Sequence, residues 1–242
     1  MHPGVQIEKV RWKRWQGKKQ WKSARKQRQW LQECPENGTI PLSEYVSLRG
    51  INVKEKVLFV NACVRAESRT LGLARYFLGK LSDVEVEELR LDEAGLVPMS
   101  EEALAKRDQA GQTGDFSDPA YAPARALKDA DTVVIAAPYW DLSFPASLKI
   151  FIENVLVTGL VFAYGADSIP HTLCKMKRVV YLTTSGGYIG DMNTGEVYIR
   201  QLCKNFLGDP QVDVVSAEGL DIWGNDVEGI LASAREKIDA LF

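Results

Sequence analysis

The chain has 242 residues, 45% of them hydrophobic, and a formal net charge of −2 at pH 7. This length suits one large α/β domain, with or without an extension. The sequence holds no run of about 18 apolar residues and no apolar stretch behind its first basic residues, so neither a transmembrane helix nor a secretory signal is expected. The cysteines form no CxxC pair, which argues against a metal site or a disulfide framework and favours a cytoplasmic protein: Cys34, Cys63, Cys174 and Cys203.

The charge is distributed unevenly along the chain. Residues 1–30 hold ten lysines and arginines but one acidic residue, Glu8, and the other 20 basic and 31 acidic residues leave a net charge of −11 on residues 31–242. Four tryptophans are interleaved with the basic residues, a composition that can bind nucleic acid or an anionic membrane surface. They do not form one helical face, so a poorly ordered extension is the favoured interpretation and nucleic-acid binding the alternative. Together with a Pro- and Gly-containing linker, residues 1–53 are predicted to precede a domain of residues 54–242.

The predicted domain opens with a strand over residues 56–62, followed by a loop that leads into a helix at Ser68, Arg69 and Thr70. A hydroxyl-rich turn at a helix N-terminus suits an anion, because free N–H groups and the helix dipole point at it. The two hydroxyls and the Arg69 guanidinium are therefore candidate phosphate ligands. The alternative is that Ser68 only caps the helix. The loop contains neither the glycine pattern of a dinucleotide fold nor that of a P-loop.

The second and third predicted strands differ in pattern. Residues 84–91 alternate between polar and apolar side chains, which indicates a strand nearer an edge, whereas residues 132–137 form the continuous apolar run of a strand buried on both faces. Polar helices are predicted over residues 99–109 and 120–129, with Phe116 between them as a possible part of a lid.

The central strand ends in a proline-led turn. Pro138 stops the strand because it has no N–H to donate, and the next four residues place two aromatic rings at the strand's carboxyl end. Ser143 is the candidate N-cap of the following helix, which carries its apolar residues on one stripe. Such a turn could form a wall for a flat ligand, and its members are Pro138, Tyr139, Trp140, Asp141 and Leu142.

The fourth strand, residues 178–184, also ends in a distinctive loop: Thr184, Ser185, Gly186, Gly187 and Tyr188. Adjacent glycines let the backbone approach a ligand closely and offer N–H donors, although an ordinary turn is the alternative. Residues 159–165 carry Leu160, Phe162 and Tyr164 at alternate positions and are predicted to form a hairpin arm beside the site. Helices over residues 195–207 and 227–241 and a fifth strand over residues 211–218 complete the chain.

Five strands separated by helices predict an α/β fold with a doubly wound, five-stranded parallel sheet of order 2-1-3-4-5. The three distinctive loops follow strands one, three and four, which are neighbours in that order. Ligands of such sheets bind outside the carboxyl ends of the strands. One loop suits a phosphate, one a planar ring and one the polar edges of a ring, and this combination describes FMN.

At these residues the sequence resembles the flavodoxin-like NAD(P)H dehydrogenase (quinone) family, which includes the FMN-dependent NADH-azoreductases. The resemblance covers about residues 55–242 and implies a flavodoxin-like fold. It implies that the first loop binds the FMN phosphate, the second the face of the isoalloxazine ring and the third its pyrimidine side. Two departures from the family's pattern bear on the identity of the electron acceptor. Trp140, Asp141 and Leu142 stand where an aromatic-asparagine-phenylalanine pattern is usual, and Tyr188 stands near the place of a common histidine.

The resemblance implies an enzyme that takes two electrons from NADH or NADPH and passes them through FMN to a quinone, azo or nitro compound. The flavin performs the redox chemistry, so no residue is assigned a catalytic role. Tyr188 is a candidate substrate-binding hydroxyl, with packing as the alternative. The resemblance also implies a homodimer with the site near the interface, where a partner chain would cover apolar side chains; the alternative is that the domain's own loops cover them. These side chains are Phe116, Tyr139, Trp140, Leu160, Phe162 and Tyr164.

Two other functions fit the same fold. A flavodoxin-type electron carrier would hold FMN without oxidising NAD(P)H directly, and the hairpin arm argues against it. A receiver-type signalling domain would need acidic residues at the ends of strands one and three, where Asn61 and Ala137-Pro138 stand instead.

Overall fold

A computed structural model of the protein describes residues 54–242. The predicted extension and linker, residues 1–53, lie outside the described residues. Five parallel strands form the main sheet: β1 (Glu55–Asn61), β2 (Val84–Arg90), β3 (Thr132–Ala136), β6 (Arg178–Thr184) and β7 (Gln211–Ala217). They lie side by side in the order β2-β1-β3-β6-β7. Counted within this sheet the order is 2-1-3-4-5, which confirms the prediction.

Helices cover both faces of the sheet. Helices α1 (Arg69–Leu78) and α6 (Val227–Asp239) pack on one face through apolar residues such as Phe77 and Ile238. Helices α3 (Ala122–Asp129), α4 (Ala146–Val155) and α5 (Thr194–Phe206) pack on the other. Helix α2 (Glu101–Thr113) buries only Ala110, as its polar sequence predicts. Short 3-10 turns occupy Pro119–Tyr121 and Gly190–Met192.

Burial follows the hydrophobic pattern strand by strand. Every residue of β3 is buried, as expected for the central strand of a sheet covered on both faces. Strand β2 lies at one edge and exposes most of its residues, which confirms its predicted place. In the described part of the chain, no helix combines the length and the apolar composition needed to cross a membrane.

Local signals identified two helix N-caps correctly and one wrongly. Ser68 and Ser100 cap α1 and α2 through hydrogen bonds from the N–H groups of Leu71 and Ala103. Ser143 was predicted to cap α4, and this is wrong. The helix begins at Ala146 without a side-chain cap, because Ser143 is used to close the preceding turn.

The predicted hairpin arm is present as β4 (Phe162–Tyr164) and β5 (Pro170–Thr172), an antiparallel pair outside the main sheet. Its apolar residues are mostly covered by the domain itself. Leu160 and Phe162 are buried, and Phe116 is half-buried with its ring edge-on to Tyr121. Among the six side chains expected to need cover, Trp140 and Tyr164 are exposed and Tyr139 is half-buried. The domain's own core covers Phe116, Leu160 and Phe162, as the alternative predicted for these three side chains.

Candidate functional site

Three loops follow the carboxyl ends of β1, β3 and β6, and Thr184 joins them. The hydroxyl of Thr184 lies 2.6 Å from the hydroxyl of Thr70, in the first loop. The carbonyl oxygen of Thr184 accepts a 2.9 Å hydrogen bond from the N–H of Tyr139, in the second loop. The sheet order changes direction between β1 and β3, which is where ligands bind in folds of this kind. The predicted loops therefore meet at one place.

The first loop presents the N-terminus of α1. The hydroxyl of Ser68 accepts a 3.3 Å bond from Leu71, while the N–H groups of Arg69 and Thr70 have no acceptor within residues 54–242. Free N–H groups at a helix N-terminus attract an anion. Two side chains at this N-terminus make contacts with distant parts of the chain. Thr70 is fully buried, and Arg69 points towards the loop that follows β7.

Cys63 lies beneath this loop and is buried. Its thiol is 3.7 Å from the carbonyl oxygen of Ala136. Burial raises the pKa of the Cys63 thiol above its ordinary value, which keeps the thiol neutral at neutral pH. A neutral, buried thiol packs as a small apolar group and is a poor nucleophile.

The hydroxyl pair of Thr70 and Thr184 gives a prediction about stability. Thr70→Val should lower the free energy of unfolding by about 1.5 kcal/mol, because it leaves the nearly buried hydroxyl of Thr184 without its partner. The double variant with Thr184→Val should lose less than the sum of the two single changes, since no polar group is then stranded. Urea denaturation of the four proteins measures this coupling. Strictly additive losses would show that the two hydroxyls do not interact.

The second loop is a tight turn whose backbone is strained. The N–H groups of Trp140 and Ser143 donate to each other's carbonyl oxygens, and Asp141 and Leu142 between them have φ angles of 49° and 68°. The left-handed region is costly for a bulky residue such as leucine, and strain of this kind is typical of functional sites. The N–H groups of Asp141 and Leu142 have no acceptor in the described part of the chain. The side chains of Trp140 and Leu142 are exposed.

The start of α5 holds this turn in place. Thr194 donates to the carbonyl oxygen of Leu142 from both its N–H, at 3.2 Å, and its hydroxyl. The hydroxyl of Tyr139 donates to the carbonyl oxygen of Met192 at 3.0 Å. These contacts fix the strained turn from outside its own sequence, and nothing in the sequence pattern around Thr194 indicated them.

The third loop combines buried and exposed parts. Thr184 and Ser185 are buried, whereas Tyr188 is 66% exposed at the rim. The N–H groups of Gly186 and Gly187 find no acceptor among the described residues. A Cβ atom on Gly187 would meet no atom within 4 Å, so this position borders open space. The third loop therefore offers two N–H donors beside open space.

A fourth loop, residues 218–225 after β7, completes the edge and was missed by the sequence reasoning. Its backbone N–H groups donate to the carbonyl oxygens of the third loop, including Gly219 to Gly187 and Asp221 to Gly186, both at 2.9 Å. The carboxylate of Glu218 accepts a 2.8 Å bond from the N–H of Ile189 and a 3.0 Å bond from the hydroxyl of Ser216. The third loop is therefore anchored along its full length.

Comparison with known proteins gives consistent matches. A family model described as a flavodoxin-like fold matches residues 55–242. The chain is 35% identical over 200 residues to the FMN-dependent NADH:quinone oxidoreductase 2 of Clostridium acetobutylicum, a match that covers 75% of this chain and 95% of that protein. It is 30% identical over 196 residues to the FMN-dependent NADH:quinone oxidoreductase of Coprothermobacter proteolyticus, covering 77% and 97%.

Solved structures with the same fold include two from Bacillus anthracis. An azoreductase has a TM-score of 0.67 and 24% identity, with coverage of 77% of this chain and 98% of that one. An FMN-dependent NADH-azoreductase in complex with FMN has a TM-score of 0.65 and 20% identity, with coverage of 77% and 97%. At these identities the likeness establishes the fold.

Proposed function

The chain belongs to the family with the flavodoxin-like fold, and from this premise we propose that it is an FMN-dependent NADH:quinone oxidoreductase. The observation that carries the proposal is the set of free N–H groups on three loops that meet at Thr184. These donors belong to Arg69 and Thr70, to Asp141 and Leu142, and to Gly186 and Gly187. The named relatives in Clostridium acetobutylicum and Coprothermobacter proteolyticus support the same function.

The residues present fit FMN. The N-terminus of α1 suits the phosphate, because the N–H groups of Arg69 and Thr70 and the helix dipole favour an anion there. The strained turn and the glycine pair suit the ring system, because each presents two N–H donors and Gly187 leaves space beside them. Trp140 supplies an exposed aromatic surface at the same edge.

When bound, FMN supplies the two-electron chemistry between NADH and a quinone or azo acceptor. The chain's own residues bind FMN, orient it and cover it. Ser68 and the start of α1 hold the charged end, Thr194 and Tyr139 keep the Trp140–Leu142 turn rigid, and Glu218 fixes the third loop. Preorganised donors of this kind cost no rearrangement at the moment of reaction.

Tyr188 is the proposed contact to substrate. It is exposed at the rim, and its hydroxyl oxygen lies 3.4 Å from the side-chain nitrogen of Asn225. With Asn225 as the donor, the proton of the Tyr188 hydroxyl stays available to a carbonyl, azo or nitro group of an acceptor.

An NADH-consuming reaction also needs a compartment that holds NADH, so we place the enzyme in the cytoplasm.

Anaerobic rapid mixing tests the activity. NADH or NADPH should bleach the absorbance of the flavin-loaded protein, and a quinone added afterwards should restore it. A flavodoxin-type electron carrier would hold FMN but show no bleaching by either nicotinamide. Slow or absent bleaching with both donors would therefore contradict the proposed enzyme and favour a flavodoxin-type electron carrier.

We also propose a homodimer with the site near its interface. The exposed apolar side chains Trp140, Leu142 and Met192 belong to two segments that the Thr194 and Tyr139 hydrogen bonds tie together. Exposed apolar side chains that gather on linked segments are typical of a surface that another chain covers. A second copy would also wall off the adjacent cofactor site.

Sedimentation equilibrium of the full chain should give a dimer at micromolar concentration, and Met192→Glu should shift it towards monomer. The control is Val86→Glu, another exposed apolar position, on the edge strand β2, and this variant should remain dimeric. A wild-type monomer that oxidises NADH at full rate would show that no second chain is needed.

A further inference from the structure

Asp221, in the fourth loop, contacts two of the loops assigned to FMN. Its Oδ1 atom accepts a 2.8 Å hydrogen bond from Nη1 of Arg69, at the first position of α1. Its Oδ2 atom lies against Gly186, where a Cβ atom would be only 2.3 Å away. Asp221 therefore links the phosphate end of the site to the glycine pair of the third loop.

The same arginine nitrogen makes a second contact with this loop. Nη1 of Arg69 also donates to the carbonyl oxygen of Leu220 at 3.2 Å. The other two guanidinium nitrogens, Nε and Nη2, have no acceptor within the described residues. Nη1 therefore holds the Arg69 side chain, while Nε and Nη2 stay available to donate hydrogen bonds. Two parallel donors of this kind match the oxygens of a phosphate group.

We propose that Asp221 is a positioning residue that holds the Arg69 guanidinium ready for the FMN phosphate. The inference rests on the proposed function, since it assumes that FMN is the ligand. A free arginine side chain has many rotamers and loses them on binding, so holding it in advance favours the ligand. The hydrogen bond from the Asp221 N–H to the Gly186 carbonyl oxygen holds the backbone of Asp221 beside the third loop.

The direction of the change in FMN affinity distinguishes a positioning role of Asp221 from a purely electrostatic effect of its charge. Asp221 is an anion near the place assigned to another anion, so removal of its charge alone would strengthen FMN binding. Loss of positioning would weaken it instead. A weaker complex in Asp221→Ala therefore cannot arise from charge removal.

The test is titration of FMN into the apoprotein of full-length variants, followed by flavin fluorescence. Asp221→Ala and Arg69→Ala should each weaken FMN binding by about tenfold. The double variant should bind like Arg69→Ala alone, because the two residues act through one contact. Asp221→Asn removes the charge but keeps an oxygen acceptor for Nη1, so it should bind FMN more tightly than Asp221→Ala does.

Two controls complete the design. Glu67→Gln removes an exposed negative charge from the first loop, where it is not a partner of the Arg69 side chain, and it should not weaken FMN binding. Riboflavin lacks the phosphate, so its affinity should be unchanged in Asp221→Ala. Three outcomes would overturn the proposal. The first is FMN binding that is unchanged or tighter in Asp221→Ala, the second is additive losses in the double variant, and the third is an equal loss of affinity for riboflavin. A wild-type protein that binds no FMN would instead overturn the proposed function.

Discussion

Replacing Ser68 with aspartate should weaken FMN binding by at least 100-fold and leave the fold at least as stable as in the wild type. Aspartate caps helices as well as serine does, so the bond to the N–H of Leu71 is retained. A carboxylate in the first turn is also favoured by the helix dipole. The phosphate of FMN, however, would face a like charge at close range. At roughly 5 Å and an effective dielectric constant of about 20, this repulsion is about 3 kcal/mol for each unit charge.

The matched control is Ser68→Asn, which caps the helix without adding charge. It should weaken FMN binding less than Ser68→Asp does, since it adds no charge and loses at most one hydrogen bond to the phosphate. Thermal unfolding of both apoproteins and titration with FMN give the two quantities. If Ser68→Asp bound FMN as tightly as Ser68→Asn, the phosphate could not lie at the N-terminus of α1.

Replacing Gly187 with valine should weaken FMN binding by about 10- to 100-fold, because the added methyl groups occupy space proposed for the ring. Forcing extra volume into a fitted site costs roughly 1–3 kcal/mol. The folded apoprotein should tolerate the change, since a Cβ atom at Gly187 meets no atom within 4 Å. Gly187→Ala adds one methyl group and should give a smaller loss.

Gly111→Val provides the comparison for this variant. Gly111 lies on the exposed side of α2, where a Cβ atom would make an ordinary contact with the carbonyl oxygen of Thr158. FMN affinity should be unchanged there. An equal effect of Gly111→Val and Gly187→Val, or none from either, would remove Gly187 from the site.

The sheet could be predicted from the sequence because its signals are local. A continuous β-branched run such as residues 132–137 suits a strand covered on both faces, and the alternation of residues 84–91 suits an edge strand. The structure places these runs at the centre and at one edge. Proline at residue 138 and the glycine pair at residues 186 and 187 marked two loops, and strand order then brought them together.

The contacts between loops could not be predicted in the same way, because each partner lies far along the chain. Thr70 looked like a phosphate ligand, yet its hydroxyl faces that of Thr184, which is 114 residues away. Arg69 pairs with Asp221, which is 152 residues away. Ser143 carried the signal of a helix cap, but the left-handed turn at Asp141 and Leu142 used it instead. Such choices depend on which side chains the fold brings within reach.

The central claim is that this chain holds FMN, and the absorption spectrum of the purified full-length protein tests it most directly. The protein, as isolated or after incubation with FMN, should show the two visible bands of an oxidised flavin after removal of free ligand. Denaturation should then release FMN and not FAD. A folded protein that stays colourless after incubation with FMN would contradict the account.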